Sequence, residues 1–127
     1  MSTQNKKILI VEDEAPLRQA IFDKFKREGF QTFQEENGEE GLESAFKEHP
    51  DIILLDIVMP KVDGLSMLRT LRRDEWGKNV QIILLTNLND AEYVATAMEN
   101  GVFDFLVKSD WKLNDLVTRV KEKLGIV

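Results

Sequence analysis

Asp51-Ile52-Ile53-Leu54-Leu55-Asp56 sets four consecutive aliphatic side chains between two acids. Continuous rather than alternating apolar character suits a strand buried on both faces, as in a parallel sheet. Working outward, Lys6-Lys7-Ile8-Leu9-Ile10-Val11 and Gln81-Ile82-Ile83-Leu84-Leu85-Thr86 repeat the design. Phe30-Gln31-Thr32-Phe33 and Phe103-Asp104-Phe105-Leu106-Val107 alternate instead and suit strands nearer an edge. Five strands are therefore expected.

Segments with helical spacing separate them. Pro16 sits where a first helical turn tolerates it, Leu17, Ile21 and Phe25 follow at i, i+4 and i+8, and Gly29 is the stop. Gly41 to Lys47 carries a stripe of Leu42, Ala45 and Phe46 and ends before Pro50. Leu65, Leu68 and Leu71 or Arg72 continue the pattern after Gly64. Ala91 to Met98 is less apolar, with Val94, Ala97 and Met98 as its expected buried side and Gly101 as the stop. Leu113, Leu116, Val117, Val120 and Leu124 form the clearest stripe. Strand and helix in alternation predict parallel β-α-β units with right-handed crossovers, an α/β three-layer sandwich.

The chain has 127 residues, 43% hydrophobic and 31% charged, which fits one domain spanning 1–127 with a core of about 6–124. No Gly/Ser-rich or Pro-rich linker, low-complexity tract or repeat interrupts it, so no attached output domain is expected. Seventeen Lys and Arg against 23 Asp and Glu give a net charge of −6. That balance argues against nucleic acid or an anionic membrane as partner, since phosphate binding rests on clustered cations. Absent cysteine excludes disulfides, thiolate metal sites and a cysteine nucleophile. The apolar runs are too short for a bilayer span or a signal peptide, so a cytoplasmic protein is expected.

Ligands of open α/β sheets bind beyond the carboxyl ends of the strands. Those ends carry Glu12, Asp13 and Glu14 after the first strand, Asp56 after the third, Thr86 after the fourth and Lys108 after the fifth. Carboxylates converging there repel one another unless a hard divalent cation with oxygen ligands offsets the charge, and Mg²⁺ is the natural occupant. Lys108 supplies a positive charge for a phosphoryl oxygen and Thr86 a hydroxyl donor, equipment for in-line phosphoryl transfer onto Asp56 as nucleophile. Glu12, Asp13 and Glu14 also suit a solvated helix N-terminus, where acids are favoured; Asp56 and Lys108 in the same pattern favour the site.

With these residues in order, the chain resembles a response-regulator receiver domain of the CheY-like family from about Lys6 to Leu124. The resemblance rests on Ile8-Leu9-Ile10-Val11-Glu12-Asp13-Glu14, on the block from Asp51 to Gly64 that includes Met59-Pro60-Lys61-Val62-Asp63, on Thr86 and on Lys108. It implies the flavodoxin/CheY-like strand order 2-1-3-4-5 and a phosphorylation-driven switch rather than an enzyme, one that at most catalyses its own phosphorylation and dephosphorylation. Asp56 is then the phosphoacceptor. Glu12, Asp13, Asp56 and the Val58 backbone carbonyl hold Mg²⁺, or Mn²⁺, with Asp13 a direct ligand. Thr86 and Lys108 bind phosphoryl oxygens, and Phe105 is the switch aromatic that turns inward as Thr86 moves. The implied partners are a histidine kinase or histidine phosphotransfer protein and a downstream protein on the face of the fourth helix, fifth strand and fifth helix. A monomer or a weak phosphorylation-dependent dimer is implied.

Some residues depart from the family pattern. Ser109 follows Lys108 where proline is usual, so that peptide bond is expected to be trans. Asn87 is larger than the small residue common after the threonine. Val58 offers no polar side chain to an attacking water, so slow self-dephosphorylation is expected. His49 is expected at the surface, and Trp111 in packing or on a partner surface. Phe22, off the buried stripe with Ala15 and Arg18 beside it, is read either as packing or as a kinase-docking hydrophobe. A flavodoxin-like electron carrier needs a glycine- and hydroxyl-rich phosphate loop where Glu12-Asp13-Glu14 stands. An aspartate-nucleophile phosphatase places its nucleophile after the first strand. The remaining rival is a pseudo-receiver, a non-phosphorylated interaction module.

Overall fold

The computed structural model describes residues 5–57, 63–86, 91–108 and 112–126. Among them, five strands alternate with five α-helices: β1 Lys7–Val11, α1 Ala15–Arg27, β2 Gln31–Glu35, α2 Gly38–Glu48, β3 Ile52–Asp56, α3 Gly64–Arg73, β4 Gln81–Thr86, α4 Ala91–Glu99, β5 Phe105–Val107 and α5 Leu113–Leu124. The strands form one parallel sheet in the order β2-β1-β3-β4-β5, as expected. No helix among the described residues is long and apolar enough to cross a membrane.

Residues alternate across a strand, so the continuous aliphatic runs feed two cores. Leu9, Val11, Ile53, Leu55, Ile82 and Leu84 pack with Ala45, Met67, Leu68, Leu71 and Ala97 of α2, α3 and α4. Ile8, Ile10, Ile52, Leu54, Ile83 and Leu85 pack on the other face with Ile21, Phe25, Leu116, Val117 and Val120 of α1 and α5. All five β3 residues are buried, the consequence of a central strand covered on both sides. The register sets Leu9 beside Ile53, Asp56 beside Leu85 and Thr86 beside Val107, which brings the chemistry-bearing strand ends to one rim.

Four expectations need correction. Helix α2 begins at Gly38, earlier than the apolar stripe suggests, because the Asn37 side chain caps it by accepting from the Glu40 amide at 2.9 Å. Met98 is 45% exposed and only Ala97 of α4 is fully buried, so the buried side of that helix is narrower than Val94, Ala97 and Met98 together. Strand β5 omits Phe103, which is 67% exposed, because pairing to β4 begins where the Leu84 amide donates to the Asp104 carbonyl. Phe46, expected in the α2 stripe, is exposed and packs edge-on against Trp76. His49 is exposed as expected, and its ring stacks on Trp76 at 4.4 Å.

Candidate functional site

Each candidate residue sits where its strand stops. Glu12 follows β1 directly, and its amide donates to the Glu35 carbonyl at 3.1 Å, extending the sheet by one residue. Its own carbonyl accepts from Arg18 Nη1 at 2.9 Å, while Arg18 Nε donates to Gln34 Oε1 at 3.1 Å. The Glu12 backbone is thus held at both its amide and its carbonyl. Asp56 ends β3, and the backbone turning away from it is backed by Gly64: a Cβ there would lie 2.3 Å from the Asp56 carbonyl oxygen and 2.7 Å from Ile57 Cα. Lys108 follows β5, and its amide donates to the Thr86 carbonyl at 2.6 Å, tying the two residues together through the backbone.

The side chains converge. Lys108 Nζ lies 2.8 Å from Glu12 Oε1, 3.2 Å from Asp56 Oδ2 and 3.5 Å from Glu14 Oε1. Glu12, Asp56 and Thr86 are buried, whereas Asp13 is exposed. Glu12, Asp13 and Asp56 each place one carboxylate oxygen within 4.8 Å of the others. One ammonium against so many acids leaves a deficit of positive charge. Burial, followed by the hydrogen bond to Asp13 and the charge of Glu12, pushes the Asp56 carboxyl up to about 8 against the pull of Lys108. Burial raises Glu12 also, opposed by Lys108 and the Glu14 amide. For Asp13 burial acts upward, but its hydrogen bonds to Asp56 and Glu12 outweigh it and hold it below the usual aspartate value. For Lys108 burial opposes the charge, and the carboxylates of Glu12 and Asp56 overcome it, raising its pKa. Burial and acidic neighbours thus favour the protonated form of Asp56 unless a bound cation offsets them.

An all-oxygen donor set with unspent negative charge suits a hard divalent cation such as Mg²⁺. Glu12, Asp13 and Asp56 fit it by chemistry and by mutual distance. The Val58 carbonyl, expected as a further ligand, lies outside the described residues, as do Asn87, Ser109 and Trp111. Phe105 is partly buried and packs against the core formed with α2, α3 and α4. Phe22 is also partly buried, packed against the α1/α5 core with Lys26 Nζ 5.4 Å from its ring centroid, so it combines packing with a remaining solvent-facing edge.

Two contacts carry no mark in the sequence pattern. Arg18, beside Phe22 on α1, clamps the Glu12 carbonyl; an arginine one helical turn into α1 is the signal. Glu14, one of the acids after β1, reaches Lys108.

Comparison with known proteins agrees with this geometry. The family described as the response regulator receiver domain matches residues 8–121. Sporulation initiation phosphotransferase F of Bacillus subtilis is 32% identical over 122 residues, covering 96% of this chain and 96% of that protein. A probable transcriptional regulator, ycf27, of Porphyra purpurea is 35% identical over 124 residues, 98% of this chain but 49% of that protein. The chain therefore spans about half the length of several curated relatives it matches. Among solved structures, chemotaxis protein CheY4 of Vibrio cholerae superposes with a TM-score of 0.84 at 25% identity, covering 92% of this chain and 97% of that one. The receiver domain of a sensor histidine kinase of Pseudomonas aeruginosa, described with a magnesium ion coordinated in its active-site cleft, has a TM-score of 0.84 at 29% identity and covers 94% of this chain and 98% of that one.

Proposed function

This chain belongs to the response regulator receiver domain family, and on that premise we propose that Asp56 accepts a phosphoryl group from a histidine kinase or histidine phosphotransfer protein and that the acyl phosphate switches the domain's shape. The observation that carries this reading is a buried carboxylate at the mouth of the central strand, 3.2 Å from the Lys108 ammonium and within 4.8 Å of two more carboxylates.

In the transfer, an ionised Asp56 Oδ attacks phosphorus in line, and the donor's P–N bond (phosphohistidine) or P–O bond (acetyl phosphate) breaks with its electron pair leaving on the donor. Asp13, Glu12 and Asp56 would hold Mg²⁺. When bound it supplies positive charge for the phosphoryl oxygens. Lys108 and Thr86 receive those oxygens, and Lys108 can do so only by loosening its ties to the carboxylates. The new group brings roughly −1.5 to −2 charge and three strong acceptors. Charge-assisted hydrogen bonds at about 1.5–3 kcal/mol each are enough to shift a two-state equilibrium of a few kcal/mol. The Lys108–Thr86 backbone bond links the two ligands, and Phe105, two residues before Val107, is the side chain we assign to report the movement.

The downstream protein is assigned to the α4-β5-α5 face, α4 carrying the exposed Tyr93 and Met98, and Phe22 to the docking of the phosphodonor. The domain acts in the cytoplasm as a monomer or as a weak dimer that forms on phosphorylation. Its catalysis is limited to its own phosphorylation and dephosphorylation. Intact-mass analysis after incubation with Mg²⁺ and acetyl phosphate tests the reading: one phosphoryl adduct is expected on the native protein and none on Asp56→Asn. An unmodified native protein would instead make the chain a pseudo-receiver that works as an interaction module.

A further inference from the structure

Of the three carboxylates that meet Lys108, Glu14 alone reaches it from the solvent side: its side chain is 59% exposed, against 0% for Glu12 and 2% for Asp56. Its position is fixed from below, because the Glu14 amide donates to Glu12 Oε2 at 3.0 Å. Glu14 also occupies the N-cap of α1, with extended backbone at φ −77° and ψ 104°. A side chain at that place ordinarily accepts from the amides of the first turn. Here the next-but-one residue is Pro16, which has no amide proton, and the Glu14 side chain makes no capping bond. Its carboxylate lies instead 3.5 Å from the ammonium that the phosphoryl oxygens need.

We propose that Glu14 is a charge gate on the phosphoryl site, a positioning residue that competes for Lys108 and repels small dianionic phosphodonors from the mouth of the site. The inference rests on Asp56 being the acceptor and adds to it a source of donor selectivity. A dianion approaching Asp56 meets the Glu14 charge across solvent and must also draw Lys108 away from it. Neutralising Glu14 removes both obstacles. The effect scales with the charge of the donor and is screened by salt, which a purely structural role of Glu14 would not produce.

The test measures phosphorylation rate constants of the full chain at pH 7 and saturating Mg²⁺ with two donors, acetyl phosphate, a dianion, and phosphoramidate, whose ammonium leaves it one negative charge fewer. Glu14→Gln is expected to raise the acetyl phosphate rate constant about three- to tenfold at low ionic strength. Glu14→Lys is expected to raise it further, phosphoramidate to gain less, and all gains to shrink toward unity near 1 M salt, where the screening length is about 3 Å. Native protein that is phosphorylated while both variants match its rate, or a gain equal for both donors and indifferent to salt, overturns the gate. Failure of the native protein itself to be phosphorylated overturns the acceptor reading, and the gate with it.

Discussion

Asp56→Asn is expected to stabilise the metal-free domain, by an amount that grows with pH. The Asp56 carboxyl is pushed from an ordinary 3.8 to about 8 by burial first and then by its acidic neighbours. An acid whose pKa is higher in the folded chain than in the unfolded one holds its full stability below the unfolded value. It loses that stability as pH climbs to the folded value, and beyond that the loss is constant. At about 1.36 kcal/mol per pKa unit, the cost is on the order of 4 kcal/mol at pH 7 and on the order of 2 kcal/mol at pH 5. Asparagine has no proton to lose and keeps a donor for Asp13, so the variant escapes the penalty. For a chain of this length, the gain corresponds to a rise in Tm on the order of 10–15 °C at pH 7. The assay is thermal and urea unfolding of both proteins in EDTA from pH 5 to pH 9. Other groups titrate in both, so the difference isolates Asp56. The gap is expected to widen by about 1.4 kcal/mol per pH unit and to level off above pH 8. Saturating Mg²⁺ is expected to narrow it by stabilising the native protein alone. A gap that is flat across this range, or a variant less stable than the native protein at pH 7, refutes the reasoning.

Lys108→Met leaves the buried carboxylates of Glu12 and Asp56 without the ammonium that lies 2.8 and 3.2 Å away; urea unfolding in EDTA is expected to show a loss of about 3–5 kcal/mol, greatest above pH 8 where Asp56 is ionised, and relieved by Mg²⁺. Arg18→Ala frees the Glu12 carbonyl and is expected to raise the Mg²⁺ dissociation constant about three- to tenfold by isothermal titration calorimetry. Loss of a nearby positive charge alone would tighten Mg²⁺ binding, so the sign separates positioning from charge. Gly64→Ala drives a methyl into the Asp56 carbonyl and the Ile57 backbone and is expected to cost about 3 kcal/mol in chemical denaturation and to slow adduct formation on Asp56.

The parallel sheet was legible because the aliphatic runs Ile8-Leu9-Ile10-Val11, Ile52-Ile53-Leu54-Leu55 and Ile82-Ile83-Leu84-Leu85 have no polar side to turn outward. The site was legible for a related reason, since the polar residue that ends each run must stand on the rim that the strands share. What escaped the sequence depends on packing between elements far apart in the chain. Met98 reads as part of an apolar stripe, yet α4 lies on the sheet mainly through Ala97, so a longer side chain one residue on faces solvent. The Phe46–Trp76–His49 stack joins the ends of α2 and the segment after α3, and no periodicity announces it. Arg72, an ambiguous member of the α3 stripe, is only partly buried and caps three backbone carbonyls, those of Gly77, Val80 and Asn100, closing a turn that the pattern left undescribed.

The sequence assigned Lys108 to phosphoryl oxygens, and the structure shows it engaged by Glu12, Asp56 and Glu14. On the proposed function, these contacts are one end of an exchange and the phosphoryl oxygens the other. A resting site that left the lysine unpaired would carry an uncompensated buried charge, and one that paired it with a single strong partner would not release it. Three acids divide the ammonium among them, and burial with acidic neighbours favours a proton on Asp56. A phosphoryl group with three acceptor oxygens can then collect Lys108 from partners that each hold only part of it. Lys108 is bonded through its amide to the Thr86 carbonyl at the end of β4, which couples the two proposed phosphoryl ligands through the backbone. On the proposed function, the electrostatic conflict among the carboxylates is the condition that would make the domain responsive to one covalent change.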